Sequence, residues 1–449
     1  MPQFNMFVHV GADAPPGARD VSTVRTARGC RPAVRAARPL ALAAGIALLG
    51  ACAPGARGVT GQFPTPQTPT EREGFIAVDT RNATVRPERR DFSEERMRQL
   101  RLPAGFQINV FAEDLDEPRG ITVAPNGSVY VAERDEGRVR LLRDTNGDGR
   151  ADVSRPALTG LREDLRGVHG LAVREGRLYM VTETELLSAP MQADGGLGEP
   201  TTHIDDIPAG GQHPNRTIGF APDGTLYLSI GSTCNACVEP MEEHATLQQV
   251  NTTTWEMETY AEGLRNTIGF GWHPVTNQLW GLDHNSDGRG DNWPPEELNR
   301  IVEGRHYGWP FCGGNREVDW QVPSDPEDMT RQQFCAQTEP PVLTYQGHAA
   351  PMQMSFYTGD QFPQEYRNDA FATMRGSWNR NPPTGYEVIR VRFDQAGNPT
   401  AIEPFVGGWL IEGGRAPFGR LMGLAVMQDG SLLVGDDENG VIYRISHGG

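Results

Sequence analysis

The 449-residue chain contains no lysine, so all 41 of its basic residues are arginines. This absence argues against pyridoxal and Schiff-base chemistry, and against an ordinary P-loop, because both depend on a lysine. The 58 acidic residues bring the formal net charge to -17, which repels nucleic acid except at a local basic patch. The chain also lacks a Gly-x-Ser-x-Gly hydrolase motif and a Cys-x-x-Cys-His haem-attachment motif.

The N-terminal region has the features of a secretory leader. Residues 39–52 read PLALAAGIALLGAC, an apolar run of about 13 residues that follows several arginines, is too short to span a bilayer and ends in small residues. Its final tetrapeptide, Leu49-Gly50-Ala51-Cys52, is similar to a bacterial lipobox. We therefore expect residues 1–51 to be a lipoprotein-type signal peptide and a lipid on Cys52 to anchor the protein at the periplasmic side of a bacterial membrane. A secreted soluble protein is the alternative.

Four cysteines remain when Cys30 and Cys52 are set aside with the leader. An even number of cysteines in an oxidising compartment favours disulfides. The Cys-x-x-Cys spacing occurs once among them, which disfavours a zinc site. Four cysteines allow three connectivities, of which we expect the bonds Cys234–Cys237 and Cys312–Cys335.

Composition divides the rest of the chain into a tether and a compact domain. Residues 53–74 are rich in Pro, Thr and Gly without apolar periodicity, which is typical of a flexible linker. A short helical pattern begins at Ser93 and cannot continue through Pro103. We therefore expect residues 52–102 to be a tether with a short helix and residues 103–449 to form the compact domain.

A recurring phrase organises the compact domain. Each copy is an alternating strand, a tight turn and a second alternating strand, which is typical of the inner hairpin of a propeller blade. We count the Pro- and Gly-rich stretch 284–340 as loops and expect the strand that begins at Phe106 to complete the last blade. The sequence predicts an all-β, six-bladed β-propeller of four-stranded antiparallel blades, with seven blades as the alternative. The clear copies begin at Gly120, Gly170, Gly219, Gly269 and Gly423, and a degenerate copy spans 352–377.

Histidine and arginine precede the inner strand in most copies of the phrase. Inner strands run along the central channel of a propeller, so the residues before them gather at one mouth. Guanidinium groups that converge there favour an anionic ligand with carboxylates. The residues at this position are Arg119, His169, His213, Arg216, Arg265, Asn266 and Arg420.

Four residues from the end of the fourth copy onward have other predicted positions or roles. Asp283 and His284 end the fourth copy and are expected at the same mouth, whereas Glu296 and Glu297 follow Pro295 and are predicted to start a short structural helix.

The acidic loop DTNGDGRAD has the spacing of the first part of an EF-hand loop, but position 12 is Arg155 instead of the bidentate glutamate. We interpret it as a weak structural calcium site, with a solvated acidic turn as the alternative. Its ligands would be Asp144, Asn146, Asp148 and Asp152.

Several phrases together resemble one known family. HPNRTIGFAPDGTLYLSIGSTCNAC, GLRNTIGFGWHP, PPEELNRIVEGRHYGWP and RNDAFATMRGSWNR are similar to the sorbosone dehydrogenase branch of the quinoprotein sugar dehydrogenases, which include soluble glucose dehydrogenase. The resemblance covers roughly residues 103 to 446. It implies a six-bladed propeller that binds pyrroloquinoline quinone (PQQ) and calcium at the channel mouth and oxidises the anomeric or aldehyde carbon of sugars.

The resemblance also implies roles for individual residues. His213 matches the catalytic base, for which we expect an imidazole pKa near its usual value, and His169 falls near the substrate. Calcium is expected on the backbone carbonyls of Asn285 and Ser286, which replace a Gly-Pro step. The second of two arginines near the cofactor is replaced by Met422. The predicted cofactor-binding residues are Arg216, Arg265, Asn266, His284, Arg375 and Arg420.

The leading hypothesis is a PQQ-dependent dehydrogenase of an aldose or a sorbosone-like sugar aldehyde. Because the chain has no haem motif, its electrons would pass to a separate cytochrome or quinone. The alternatives are a calcium-dependent propeller lactonase and a non-catalytic propeller that binds an anionic glycan or a protein. The arginine-rich mouth disfavours the lactonase, which needs carboxylate and amide metal ligands.

Overall fold

The computed structural model describes residues 87–163, 166–322 and 324–448. The expected signal peptide, the lipidation site Cys52 and the tether up to residue 86 lie outside the described residues. Within the described ranges, no helix is long and apolar enough to cross a membrane.

The described residues form six four-stranded antiparallel blades, which confirms the predicted propeller. In blades 1 to 5 the strands follow chain order outward from the inner strand, and the outer strand of blade 3 is edged by the short parallel strand Arg305–His306. The strands of the first three blades are as follows. Blade 1 contains Pro118–Val123, Val129–Glu133, Arg138–Arg143 and Val153–Leu158; blade 2 contains Gly170–Arg174, Arg177–Val181, Leu186–Pro190 and Thr201–Ile204; blade 3 contains Thr217–Phe220, Leu226–Ile230, Thr246–Val250 and Met257–Glu262.

The other three blades account for the region with the degenerate copy. Blade 4 contains Thr267–Trp272, Leu279–Asp283, Glu296–Arg300 and Leu343–Tyr345; blade 5 contains Pro351–Phe356, Ala370–Met374, Glu387–Phe393 and Pro399–Val406; blade 6 contains Leu421–Val426, Leu432–Asp436, Val441–His447 and, at its outer edge, Phe106–Ala112. The strand at Phe106 therefore closes the ring, as predicted.

The predicted helix at Glu296 and Glu297 is wrong. These residues begin the third strand of blade 4, where Glu297 pairs with Asp283 and Glu296 pairs with Tyr345. Acidic residues after a proline suit a helix N-terminus, but strand pairing on both sides overrides that local preference. The stretch 284–340 is accordingly not all loop, since it supplies this strand and also the helix Arg331–Gln337.

Smaller elements decorate the ring. The helix Glu94–Met97 is capped by Ser93, and a 3₁₀ turn spans Gln364–Tyr366. Short two-stranded ladders occur outside the blades. They pair Arg162–Glu163 with Arg166–Gly167, Cys312–Gly313 with Glu317–Val318, and Leu410–Ile411 with Ala416–Pro417.

The N-terminal segment 87–102, which was predicted to be part of the tether, packs on the propeller. Leu100 is buried in the apolar cluster between blades 5 and 6, and the Phe92 ring lies 5.9 Å from the Tyr443 ring. Arg101 forms two backbone hydrogen bonds with Gly407. Apolar side chains of this segment are thus packed against the propeller, which the mostly polar composition of the segment did not indicate.

The core consists of apolar layers between neighbouring blades. Val181 and Leu228 belong to the layer between blades 2 and 3, and Leu282 and Met354 belong to the layer between blades 4 and 5. Because each blade faces a neighbour on both sides, its strands are buried on both faces, and burial of these side chains is the main stabilising term.

The glycines of the recurring phrase allow inner strands to approach each other closely. A Cβ atom at Gly269 would overlap the carbonyl oxygen of Met352 in the next blade, whereas one at Gly271 in the same strand would lie 3.6 Å from Phe356. Glycine recurs at this position of the phrase because a side chain there would collide with the backbone of the neighbouring blade. The same carbonyl overlap occurs at Gly120, Gly170 and Gly423.

We expect Gly269→Ala to destabilise the protein by about 1–3 kcal/mol, since the new methyl group must push blades 4 and 5 apart. Urea unfolding followed by tryptophan fluorescence measures the change. Gly271→Ala is the matched control and should be neutral or slightly stabilising. Equal unfolding midpoints for the two variants would show that inner-strand contact does not require glycine.

Candidate functional site

Buried carboxylates at the ends of second strands position the residues before the inner strands. Asp283 accepts hydrogen bonds from the backbone N–H groups of Arg265, at 3.0 Å, and Asn266, at 2.8 Å. In blade 6, Asp436 accepts one from Arg420 N at 3.0 Å. Each carboxylate fixes the turn that leads from the outer strand of one blade into the inner strand of the next, so the side chains at that turn point to the same mouth in each blade.

Arg216 holds the loop that carries His213. Its guanidinium donates to the carbonyl oxygens of His213, at 2.8 Å, and Pro208, at 2.6 Å, and the side chain is fully buried. In the structure these guanidinium contacts hold the backbone of the loop. They do not point into the mouth, where the sequence predicted that Arg216 would bind the cofactor.

His213 and Asn266 pack against the same glycine. A Cβ atom at Gly231 would lie 2.6 Å from His213 Cβ and 2.7 Å from Asn266 Oδ1. Gly231 follows the second strand of blade 3, so this blade can bring the histidine against the blade 4 asparagine only if position 231 has no side chain. The fold thus brings His213 against Asn266, while the predicted roles of these residues stay predictions.

The His213 ring is oriented by Ser232. Nδ1 lies 3.0 Å from the Ser232 carbonyl oxygen and 2.8 Å from its hydroxyl oxygen. Burial lowers the pKa of His213 to about 3, and the nearby Arg265 guanidinium acts in the same direction. The expected pKa near the usual value is therefore wrong, because the sequence could not show how deeply the imidazole is buried.

Arg265 links blades 3 and 4 through its guanidinium. Nε and Nη2 donate to the carbonyl and side-chain oxygens of Asn235, each at 2.9 Å, and Nη2 lies 3.3 Å from Asp287. Asn235 lies inside the loop closed by the disulfide between Cys234 and Cys237. Both predicted disulfides are confirmed, the second joining Cys312 and Cys335.

Three further arginines, which we call the mouth arginines, surround one carboxylate. They are Arg119, Arg375 and Arg420, from blades 1, 5 and 6. Asp437 pairs with Arg375 and lies 3.1 Å from Arg119 Nη1, while Arg420 donates to the Gly376 carbonyl at 3.3 Å. Burial lowers the pKa of Arg119 and of Arg420. Arg119 also pairs with Glu117, at 2.6 Å, so the three arginines meet two carboxylates at the mouth.

Several buried polar atoms at the mouth have no hydrogen-bond partner among the described residues. His169 Nδ1 donates to the Arg216 carbonyl, so its buried Nε2 carries a lone pair without a donor. Burial, followed by the charge of Arg119, lowers the pKa of His169 to about 3. Such unsatisfied groups are rare in protein interiors and indicate a site for a polar ligand. The others are Arg119 Nε, Arg420 Nε, Asn379 Oδ1 and Asp437 Oδ1.

The segment 284–286 lies beside the His213 side of the mouth. His284 Nε2 bonds the Pro351 carbonyl, and its Nδ1 is 3.5 Å from Asn266 Nδ2. Asn285 donates from its backbone to Glu296 at 3.1 Å and from its side chain to Glu297 at 2.7 Å. The two glutamates are structural, as predicted, although they act from a strand.

The acidic loop from Asp144 to Asp152 is not brought to the mouth. It joins the third and fourth strands of blade 1, so the antiparallel topology places it at the opposite face. Asp144 accepts hydrogen bonds from the backbone of Gly147 and Gly149, and Asp152 accepts one from Thr145 N. Asn146 and Asp148 make similar bonds within the loop, and the calcium site proposed there stays a prediction.

Three residues of the site were missed from the sequence, namely Ser232, Asn379 and Asp437. Ser232 follows the second strand of blade 3, and Asp437 follows the second strand of blade 6. Asp283 and His284 stand at the corresponding end of the second strand of blade 4. Residues after second strands therefore reach the mouth as regularly as residues before inner strands do. Their position in the recurring phrase could have identified the missed residues.

The fold and the site together define a six-bladed propeller whose channel mouth combines buried imidazoles with arginine–carboxylate pairs. Three comparisons with known proteins agree with this class. The holo form of the pyranose dehydrogenase PQQ domain from Coprinopsis cinerea superposes with a TM-score of 0.66 at 21% identity, covering 81% of this chain and 99% of that domain. The calcium structure of a Trichoderma reesei protein of carbohydrate-active enzyme family AA12 gives 0.67 at 19% identity, with coverages of 78% and 97%.

Sequence comparison gives the family. An uncharacterized protein of Borreliella burgdorferi is 27% identical over 368 residues, which are 79% of this chain and 92% of that protein. The TrAA12-like family model matches residues 100–448, and the chain belongs to this family. Its structural neighbours and homologues include PQQ-dependent pyranose and aldose sugar dehydrogenases, so the resemblance inferred from the motifs is confirmed.

We expect the His213 imidazole to stay neutral from pH 8 to pH 5. Its folded pKa lies below the value of about 6.5 in an unfolded chain, so the folded state binds fewer protons and stability falls as the pH drops below that value. NMR titration of the histidine ring protons measures the midpoint, with His213→Asn used for assignment. His348 is the internal control, since the Asp287 carboxylate raises its pKa against the effect of burial. A His213 midpoint above pH 5.5 would contradict the expectation.

Proposed function

We propose that the protein is a PQQ-dependent dehydrogenase that oxidises an aldose or a sorbosone-like sugar aldehyde. The observation that carries this proposal is the meeting, at one channel mouth, of a buried neutral imidazole and a surplus of guanidinium groups with unsatisfied polar atoms. The family and the fold are those of sugar dehydrogenases.

The mouth arginines suit the cofactor's charge. PQQ carries three carboxylates, and guanidinium groups bind carboxylates through charge-assisted, often bidentate hydrogen bonds. Arg119 Nη1 lies 3.6 Å from the sulfur of Met422, the position where related enzymes are expected to carry a second arginine. A guanidinium from blade 1 therefore occupies the place where blade 6 lacks one. The unsatisfied Nε atoms of Arg119 and Arg420 offer donors to such an anion.

His213 would act as the general base. With Nδ1 held by Ser232, Nε2 would take the proton of the hydroxyl group on the reacting carbon, which for a sugar aldehyde is a hydroxyl of its hydrate, and the imidazole would become imidazolium. PQQ, when bound, supplies the acceptor for the hydride that leaves the same substrate carbon. The substrate thus loses one proton and one hydride and becomes the oxidised sugar. His169, whose Nε2 lone pair faces the arginine side, would help to orient the substrate or cofactor.

Calcium binding at Asn285 and Ser286 is part of the same proposal. Asn285 donates hydrogen bonds to Glu296 and Glu297, whose pKa burial raises to about 7 and about 8, so the negative charge near this segment comes mainly from Asp287, which follows in the chain. An anionic carboxylate and carbonyl oxygens suit a divalent cation. The bound ion would act as a Lewis acid toward the cofactor.

The electron acceptor and the location of the protein rest on sequence alone. The absence of a haem-attachment motif supports an external cytochrome or quinone as acceptor. The lipobox-like sequence that ends at Cys52 supports a lipid anchor on the periplasmic side of a bacterial membrane.

We expect His213→Asn to slow reduction of bound PQQ by roughly 10²- to 10⁴-fold, because asparagine cannot accept the substrate proton. The protein is loaded with PQQ and calcium, mixed with a panel of aldoses and sorbosone, and followed by quinone absorption. His203→Asn is the matched control, since His203 lies on the outer strand of blade 2, stacked on Trp255. Equal rates for wild type and His213→Asn would refute the assigned base, and a wild type that retains no PQQ would refute the dehydrogenase.

We expect Arg119→Gln to weaken PQQ binding by about tenfold or more, because the amide keeps a polar group but removes the charge. The dissociation constant is measured by equilibrium dialysis, with thermal unfolding recorded in parallel. Arg177→Gln serves as control, since Arg177 starts the second strand of blade 2 at the opposite face and bonds Ser188. Unchanged affinity in a folded Arg119→Gln protein would remove this residue from the cofactor site.

A further inference from the structure

We propose that Ser232 is a positioning residue that fixes the His213 imidazole in the tautomer with its proton on Nδ1 and its lone pair on Nε2. The inference rests on the proposed function for its catalytic meaning, because only a base needs a defined lone pair. The tautomer itself is a property of the protein without cofactor. It can therefore be tested separately.

Both oxygens of Ser232 meet the same ring nitrogen. The carbonyl oxygen is 3.0 Å from His213 Nδ1 and the hydroxyl oxygen is 2.8 Å from it. A carbonyl oxygen can only accept a hydrogen bond. If Nδ1 carried a lone pair, it would face the carbonyl lone pairs at this distance, which is unfavourable. The carbonyl contact thus favours a proton on Nδ1.

The hydroxyl group leads to the same assignment. Its single proton is donated to the carbonyl oxygen of Cys234, at 2.8 Å. Toward His213 the hydroxyl can then only accept, so Nδ1 must again be the donor. The single Nδ1 proton is thus shared between two oxygens of one residue, and Nε2 is left as the basic nitrogen.

Ser232 is itself held from both sides. Its backbone N–H donates to the Arg265 carbonyl at 2.8 Å, and the side chain is fully buried. The next residue, Thr233, is bonded to Glu239 through its N–H at 2.8 Å and its hydroxyl at 2.6 Å. The disulfide between Cys234 and Cys237 closes the loop that carries the accepting carbonyl. The serine oxygens therefore have a fixed position relative to the ring.

A serine differs from a carboxylate as the partner of a catalytic histidine. A carboxylate orients the ring and also stabilises the imidazolium by its charge, which raises the histidine pKa. Ser232 is neutral and orients the ring without that charge. This arrangement agrees with the low pKa of His213 that burial produces, and it separates orientation from charge stabilisation.

The test begins with the whole purified protein labelled with ¹⁵N-histidine and measured without cofactor. Long-range ¹H–¹⁵N correlation spectra distinguish a protonated from an unprotonated ring nitrogen, and His213→Asn assigns the signals. We expect a protonated Nδ1 and an unprotonated Nε2 for His213 at pH 7. A protonated Nε2 in the wild type would overturn the proposal, whether or not any variant folds.

Variants then isolate the hydroxyl group. Ser232→Ala should shift the two nitrogen signals toward an average and lower kcat by about two- to tenfold with unchanged KM, as expected for loss of one hydrogen bond. Ser232→Thr keeps the hydroxyl and should restore both. Ser229→Ala is the matched control, because this buried serine lies three residues away and donates to the Thr267 carbonyl; its tautomer signals should match the wild type.

The outcomes distinguish this inference from the proposed function. Wild-type signals in a folded Ser232→Ala protein would show that the hydroxyl does not position the ring. Failure of the wild type to reduce PQQ with any sugar would refute the dehydrogenase, while the NMR spectra would still decide the tautomer.

Discussion

The arrangement of the mouth depends on one buried carboxylate, that of Asp437. A buried guanidinium is costly unless it is paired, and Asp437 pairs with both Arg119 and Arg375. These arginines come from blades 1 and 5, and Asp437 comes from blade 6 between them. Asp437, together with Glu117 beside Arg119, thus makes it tolerable to bury these two charges side by side. Without Asp437, the same arginines would repel each other in a poorly solvated pocket.

The arginines of this lysine-free chain serve two structural purposes. Arg216 and Arg265 donate hydrogen bonds to backbone and side-chain oxygens and so hold the loops around His213. Two of the mouth arginines, Arg119 and Arg420, each keep an Nε atom without a hydrogen-bond partner among the described residues. A guanidinium offers five N–H donors in a rigid plane, which allows one residue to bind two loops at once, whereas an ammonium group is a compact point charge.

Much of this structure could be predicted from local sequence, and the parts that could not depend on contacts between distant residues. The recurring glycine, seen at Gly269, predicted the inner strands because in four of the blades a Cβ atom at this position would overlap the backbone of a neighbouring blade. The same recurrence brought His213 and Asn266 to one mouth. The strand at Glu296 was not predictable, since its pairing partners outweigh the helix-start signal of its own sequence. The sequence could not show which arginines hold loops and which face the mouth. That division depends on the backbone of the disulfide loop and of residues 284–287, and neither segment has a periodic sequence pattern.

The closure of the ring gives the site a place in the order of folding. The outer strand of blade 6, Phe106–Ala112, pairs with the last strand of the chain, Val441–His447. Arg119 in blade 1 meets Asp437 in blade 6 across that junction. Arg119 already has Glu117 of its own blade as a partner, whereas Asp437, its second carboxylate and the partner of Arg375, lies close to the end of the chain. A growing chain could therefore stack five blades before Asp437 and Arg420 are made, so a C-terminally shortened chain would lack both of these residues at the mouth.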